Sequence, residues 1–323
     1  MKRDLKFLPA LLGLSLAIAS ADAGDWGKSP LAVEKNPVEN SFDRAIRPIS
    51  NPTHFDLAVP RTQVHAIFMQ QSMPDLVEIA GGGLLPLGGD HQVYALQFEY
   101  ALSERLSINA AKDGYIVFNP DNTLTDSEGF ANVGAGLKYA WLYRPEDGLA
   151  SSVQLLYEIP MGNAEVWQGE GDGYLTPSIS SLKLAGRWQF ANQFSLKVPL
   201  DNNFESTMFY GSAHVSYELT DWFRPLVEAN WIRVVDPGNG APRFPSQAGG
   251  AVPALAAFEG GDLINLGAAN SGLNRDFFTG AVGFRITPPG KPYQFGFAWE
   301  TPLSDRNASL MDNRLTLDMV YEF

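Results

Sequence analysis

From residue 62 onward the chain alternates. Large apolar side chains recur at every second position, with polar or small ones between them. A period of two places alternate residues on opposite faces of a strand. In 92–102, Tyr94, Leu96, Phe98, Tyr100 and Leu102 share one face, and Val93, Ala95, Gln97 and Glu99 share the other. In 131–141, Ala131, Val133, Ala135, Leu137, Tyr139 and Trp141 oppose Asn132, Gly134, Gly136 and Lys138. The same reading predicts strands at 106–118, 152–159, 181–190, 194–200, 209–219, 223–235, 278–286, 293–300 and 314–323. A first strand at 62–70 alternates weakly, because Ala66, Ile67, Phe68 and Met69 run together. A turn is expected at 191–193, between the sixth and seventh strands. The count is twelve, and the connections support it. Those after strands two, four, six, eight and ten are short, those after one, three, five, nine and eleven are longer, and the one after seven is intermediate. An even count with this alternation returns both termini to one side.

The final strand carries Leu315, Leu317, Met319, Tyr321 and Phe323 against Arg314, Thr316, Asp318 and Glu322. A greasy strand face backed by charge suits a wall with lipid outside and a wet lumen inside. This ending resembles the closing strand of bacterial outer-membrane β-barrels. The resemblance implies an all-β, antiparallel, up-and-down transmembrane barrel. It also implies an assembly signal in Leu317, Met319, Tyr321 and Phe323, read by the barrel assembly machinery. Outer-membrane lipids are then a further partner. The competing architecture is a soluble sandwich or barrel with its apolar faces turned inward.

The other end agrees. Lys2, Arg3 and Lys6 precede an apolar run at 7–19, and Ala21-Asp22-Ala23 has the small-x-small form of a cleavage site. Residues 1–23 read as a secretory signal peptide cleaved after Ala23. Segment 24–61 holds Pro30, Pro37, Pro48, Pro52 and Pro60 without steady periodicity. Proline excludes a long helix or central strand there. The segment is either a periplasmic tail, the simpler expectation, or a plug in the barrel mouth. Residues 62–323 form the barrel. No later run is apolar enough for a transmembrane helix. There is no cysteine, so the sheet must hold without disulfides, and the net charge of −13 argues against a nucleic-acid partner.

With apolar faces in lipid, the lumen receives Glu99, Asn132, Lys138, Glu158, Lys183, Arg187, Lys197, His214, Glu218, Glu228, Arg285, Glu300, Arg314 and Asp318. For each, an ion pair within the lumen is the simpler role, and contact with a passing solute the functional one. Twelve strands suit a narrow pore or ligand pocket rather than a wide channel. The loop 236–275, rich in Gly, Ala and Pro, is expected as an external lid or lumen constriction.

His214-Val215-Ser216 has the spacing found in twelve-stranded outer-membrane phospholipases. Those enzymes present the nucleophile to lipid, whereas the pattern here sends His214 and Ser216 inward. The sequence assigns no Asn or Asp to orient the histidine, so no catalytic residue is expected. The four histidines lack zinc spacing. No metal or cofactor is expected. The length, the Pro-rich lead-in, the turn at 102–107 and Lys112-Asp113-Gly114-Tyr115 are similar to transporters of the meta-pathway of phenol degradation family. That resemblance implies uptake of small molecules, aromatic or hydrophobic ones among them. The expectation is therefore a passive outer-membrane channel for a small-molecule solute. The alternatives are a structural or adhesive barrel with a blocked lumen and, third, a lipid hydrolase.

Overall fold

In the computed structural model, which describes residues 40–79, 81–169, 171–202, 205–238, 245–252 and 271–323, strands dominate. They are β1 (Gln63–Ser72), β2 (Leu76–Glu78), β3 (Leu84–Pro86), β4 (Asp90–Ser103), β5 (Leu106–Lys112), β6 (Tyr115–Asn119), β7 (Ser127–Phe130) and β8 (Val133–Arg144). There follow β9 (Leu149–Ile159), β10 (Tyr174–Ala185), β11 (Trp188–Pro199), β12 (Thr207–Tyr217), β13 (Phe223–Asp236), β14 (Asp276–Ile286), β15 (Tyr293–Pro302) and β16 (Asn313–Glu322). β1 pairs antiparallel with β4 on one edge and β16 on the other, which closes the sheet. A closed sheet leaves no unpaired edge in lipid.

β5 and β6 pair in succession with β4, and with β8 and β7 on their other side. Each succession is one barrel strand interrupted by a kink, at 113–114 and at 131–132. Counted so, the wall has twelve strands. β2 and β3 form a separate hairpin.

The faces sort as the alternation predicts. Phe98, Leu137, Leu155, Val227, Val282 and Leu317 are exposed on the outside, while Gln97, Lys138, Gln154, Glu228, Ala281 and Asp318 are buried beside them. An apolar exterior of this extent has no place in water and matches a lipid-facing belt. Tyr139, Trp141, Trp188, Trp222 and Phe323, all exposed, lie toward the short-turn end of the wall, where an aromatic girdle meets the membrane interface.

The turn expected at 191–193 is not there. β10 ends at Ala185 and β11 begins at Trp188, so the chain reverses at 186–187. Ala191, Asn192 and Gln193 are buried in mid-strand and pair with β10. Ala191 and Gln193 face the lumen and Asn192 is buried on the other face, and such short polar residues carry the same composition as a turn. The slip also reversed the faces of β10. Leu182 and Leu184 point inward and are buried.

Those leucines need an apolar partner, and the segment before β1 supplies it. Residues 40–61 run inside the barrel. Ala45, Ile46, Ile49, Phe55, Leu57 and Ala58 are wholly buried. Phe42, Phe55, Leu57 and Ala58 pack with Leu182, Leu184, Ala150 and Ala191, and Ile46 and Ile49 pack with Leu226 and Ala298. Both ends of the segment sit at the short-turn end. Asn40 donates to the Tyr143 hydroxyl (3.0 Å), Arg44 donates to the Gly186 carbonyl (2.9 Å), and Arg61 pairs with Glu322. Between them the chain rises to the level of Ser212 and Asn230 and returns. The signal peptide, its cleavage site and residues 24–39 lie outside the described residues, as does most of loop 236–275.

Candidate functional site

The inner segment is held by charge. Arg47 reaches Asp56 (3.0 Å) within the segment and Gln97 of β4 (3.1 Å). Lys138 of β8 bridges Asp56 (2.7 Å) and Glu99 (2.8 Å) and donates to the Leu57 carbonyl (3.1 Å). Burial would raise the Asp56 carboxyl, but Arg47 and Lys138 outweigh it and hold it down at about 2. On the opposite wall Arg285 makes two bonds to Asp318 (3.0 and 2.8 Å), while its Nε donates to the Arg47 carbonyl (2.9 Å). His65 completes this group, 2.7 Å from Asp318. Glu228 accepts from the backbone N–H of Ile49 (3.0 Å) and Ser50 (2.7 Å) and from the Ser50 hydroxyl (2.5 Å). Asn230 donates to Ser50 Oγ (3.0 Å) and to Glu300 (2.9 Å), and Gln189 exchanges two bonds with Ile46. Bidentate and networked pairs of this kind are the arrangement in which buried charge is tolerated.

Nearer the long-loop end the network is smaller. Glu158 of β9 gathers Lys112 (2.6 Å), Lys197 (3.2 Å) and Asn132 (2.8 Å). Here the interior turns apolar. Ile67, Met69, Val93, Ile116, Phe118, Leu124, Val166 and Trp167 form one cluster, which Val77 and Leu87 join from the β2–β3 hairpin and its exit. A polar lumen was expected along its full height.

Most of the expected lumen residues are buried inside: Glu99, Asn132, Lys138, Glu158, Lys197, His214, Glu228, Arg285, Glu300, Arg314 and Asp318. Three differ. Lys183 lies on the other face of β10 from the buried Leu182 and Leu184 and donates to the Asp147 carbonyl at the rim (2.9 Å). Arg187 is exposed in the 186–187 turn. Glu218 sits at the mouth, 3.5 Å from Arg224 and 3.7 Å from Arg44. The first two corrections share one cause, the misplaced turn. Sequence reasoning missed Arg47 and Asp56 altogether, because an aperiodic segment gives no face to read. The apolar cluster did leave a signal: Ala66, Ile67, Phe68 and Met69 run together because both faces of β1 are apolar there.

The kink at 113–114 interrupts the wall. The β4–β6 ladder ends at Tyr94 and the β4–β5 ladder resumes at Phe98. Between them the Asp113 carboxylate accepts from Leu96 N–H (2.9 Å), and Gln97 donates to the Ala111 carbonyl (2.5 Å). Gly114 takes φ +136, and a Cβ there would stand 2.9 Å from the Tyr94 carbonyl. Only glycine fits so close an approach in that conformation. Beside this seam lies a cavity of about 940 Å³. It is lined by Phe68, Leu96 and Met319, whose side chains face outward, and by Ile67, Ala95 and Asp318, whose side chains face inward. Among the described residues no group of three His, Asp or Glu side chains could hold a metal ion.

Fold and geometry define an outer-membrane-type β-barrel whose axis is filled by its own lead-in segment. A solved structure agrees on the fold. An outer-membrane channel from Pseudomonas putida F1 is similar at 13% identity, with 82% of this chain and 96% of that chain covered and a TM-score of 0.54. The KdgM porin matches at 8% identity (81% and 99% covered, TM-score 0.42), and LpxR from Salmonella typhimurium at 9% (80% and 100% covered, TM-score 0.43). No protein-family model and no curated protein matches the chain.

Proposed function

We propose that this protein is a passive outer-membrane channel for small apolar molecules, aromatic ones included, and that they pass through the wall seam rather than down the axis. The observation that carries this reading is the pairing of a charge-locked axis with an apolar cavity reaching residues of both wall faces. Down the axis a solute meets Arg47, Asp56, Lys138, Arg285 and Asp318, all already paired. An apolar molecule gains nothing from displacing them, since separating buried ion pairs is strongly unfavourable. It does gain by leaving water for the cluster of Ile67, Val93, Ile116 and Phe118. From there the interrupted ladder at 95–97 offers a way to the lipid face. In this reading export uses a leader cleaved after Ala23, and the C-terminal strand is read by the assembly machinery. The resemblance read in the sequence to transporters of the phenol-degradation family implies the same substrate class.

The filled axis also favours a second reading, a barrel that works through its loops and transports nothing. Proteoliposomes separate the two. Uptake of phenols and short fatty acids, with exclusion of sugars, is the expected result. Retention of every solute outside supports the second reading.

A further inference from the structure

The His214–Ser216 pair acquires a third member in the fold. His214 Nδ1 lies 2.7 Å from Glu228 Oε1, and His214 Nε2 lies 2.9 Å from Ser216 Oγ. Glu228 comes from the neighbouring strand β13, directly opposite His214 in the ladder. A carboxylate on one imidazole nitrogen and a serine hydroxyl on the other is the nucleophile–base–orienter relation that activates serine. The carboxylate accepts from the Ile49 and Ser50 N–H groups, which fixes its orientation. The tautomer that follows carries the proton on Nδ1 and leaves Nε2 free to accept the serine proton.

Ser216 is not sealed on every side. It lines a cavity of about 10 Å³ at the short-turn mouth, together with Arg44, Gln189, Glu218 and Arg224. That is room for roughly one water molecule. Arg224, itself 8% exposed, has its Nε without a hydrogen-bond partner among the described residues. An unused cationic donor beside a paired serine is what a developing oxyanion requires. The lip of the cavity is residue 44 of the inner segment. Its side chain is 43% exposed and is held at the surface, 2.9 Å from the Gly186 carbonyl and 3.7 Å from Glu218.

We infer that Ser216, His214 and Glu228 form a serine-esterase site facing the short-turn mouth, and that it takes small carboxylic esters when the lip at Arg44 withdraws. Ser216 and His214 are its catalytic residues, Glu228 positions the imidazole, and Arg224 receives the oxyanion. Ser216 Oγ bonds to the acyl carbon as its proton passes to His214 Nε2. The carbon–oxygen bond to the alcohol breaks, and the alcohol leaves with that proton. Water then repeats the sequence and releases the acid, restoring the serine. This activity does not depend on the channel reading.

The test uses the full protein in detergent micelles with a fluorophosphonate probe and p-nitrophenyl acetate. Wild type should label at Ser216, located by peptide mass, and hydrolyse the ester. Ser216→Ala should abolish both while keeping the heat-modifiable gel mobility of a folded barrel. Glu228→Gln should slow acylation and displace its pH profile, which a purely structural bond would not do. Arg44→Ala, which opens the lip, should raise the labelling rate several-fold. If neither wild type nor the Arg44→Ala variant labels above the Ser216→Ala background, the assignment is wrong. Labelling at any other residue overturns it equally.

Discussion

The two halves of the interior are built from different chemistry. Toward the short turns, Arg47, Asp56, Lys138, Arg285 and Asp318 bind an irregular segment to the wall through paired charge. Toward the long loops the charge network shrinks to Glu158 with Lys112 and Lys197, and Ile67, Val93, Phe118 and Trp167 pack as an apolar cluster beside a wall whose ladder is interrupted at 95–97. The first region is specific and hard to open, because each charge removed strands another. The second is held by contacts that an apolar guest can replace. The contrast teaches how a filled axis and the proposed transport role would be compatible: the barrier and the proposed route occupy different parts of one barrel.

The comparison breaks most visibly if the inner segment goes. Deleting 40–61 should raise single-channel conductance in planar bilayers several-fold, since the remaining lumen is lined by charged and polar groups that hold water. An unchanged conductance would mean the segment is not the axial barrier. Next in size is Arg285→Ala, which leaves the Asp318 carboxylate with His65 alone. A loss of about 3–5 kcal/mol is expected for a broken buried pair, read as a lower thermal midpoint in micelles. Replacing Arg285 and Asp318 together with apolar residues should cost less than the single change.

Gly296 sharpens the link between wall and segment. A Cβ there would lie 2.1 Å from Asp318 Oδ1 and 2.9 Å from Ile49 Cδ1. Gly296→Ala should therefore cost about 1–3 kcal/mol, as overpacking does, and also raise conductance by displacing Ile49. A stability loss with the axis still shut would separate the two roles. At the small end, Arg306→Ala removes a pair with Asp312 whose arginine side chain is 56% exposed. Its effect on the thermal midpoint should be barely measurable, because exposed pairs contribute about 0–1 kcal/mol.

The wall was legible in sequence because lipid and lumen impose opposite preferences on adjacent residues. Where both sides were clearly different, as in 92–102 and 131–141, strand and facing were readable. Where they were not, the reading slipped. Gln193 faces the lumen, and beside Ala191 and Asn192 it looks like a turn residue, so Lys183 and Arg187 were placed inside in error. Ile67 and Met69 face an apolar interior, so β1 alternated weakly. Irregular backbone gives no period, so nothing marked Arg47 and Asp56, and the simpler expectation of a tail described residues 40–61 poorly. The kink at 113–114 hid inside one long strand, although Lys112-Asp113-Gly114 marks the spot. Glu228 was legible as a lumen residue, but its partnership with His214 depends on strand register, which one sequence does not fix.

The most direct test of the account fills the seam and leaves the axis alone. Ala95 is half-buried, lines the cavity and faces inward, and Ala95→Trp places an indole beside the seam. Phenol flux into proteoliposomes should fall to the level of empty vesicles while the small ion conductance stays unchanged. Phenol flux equal to that of wild type, in a variant that folds and inserts normally, would contradict passage through the wall.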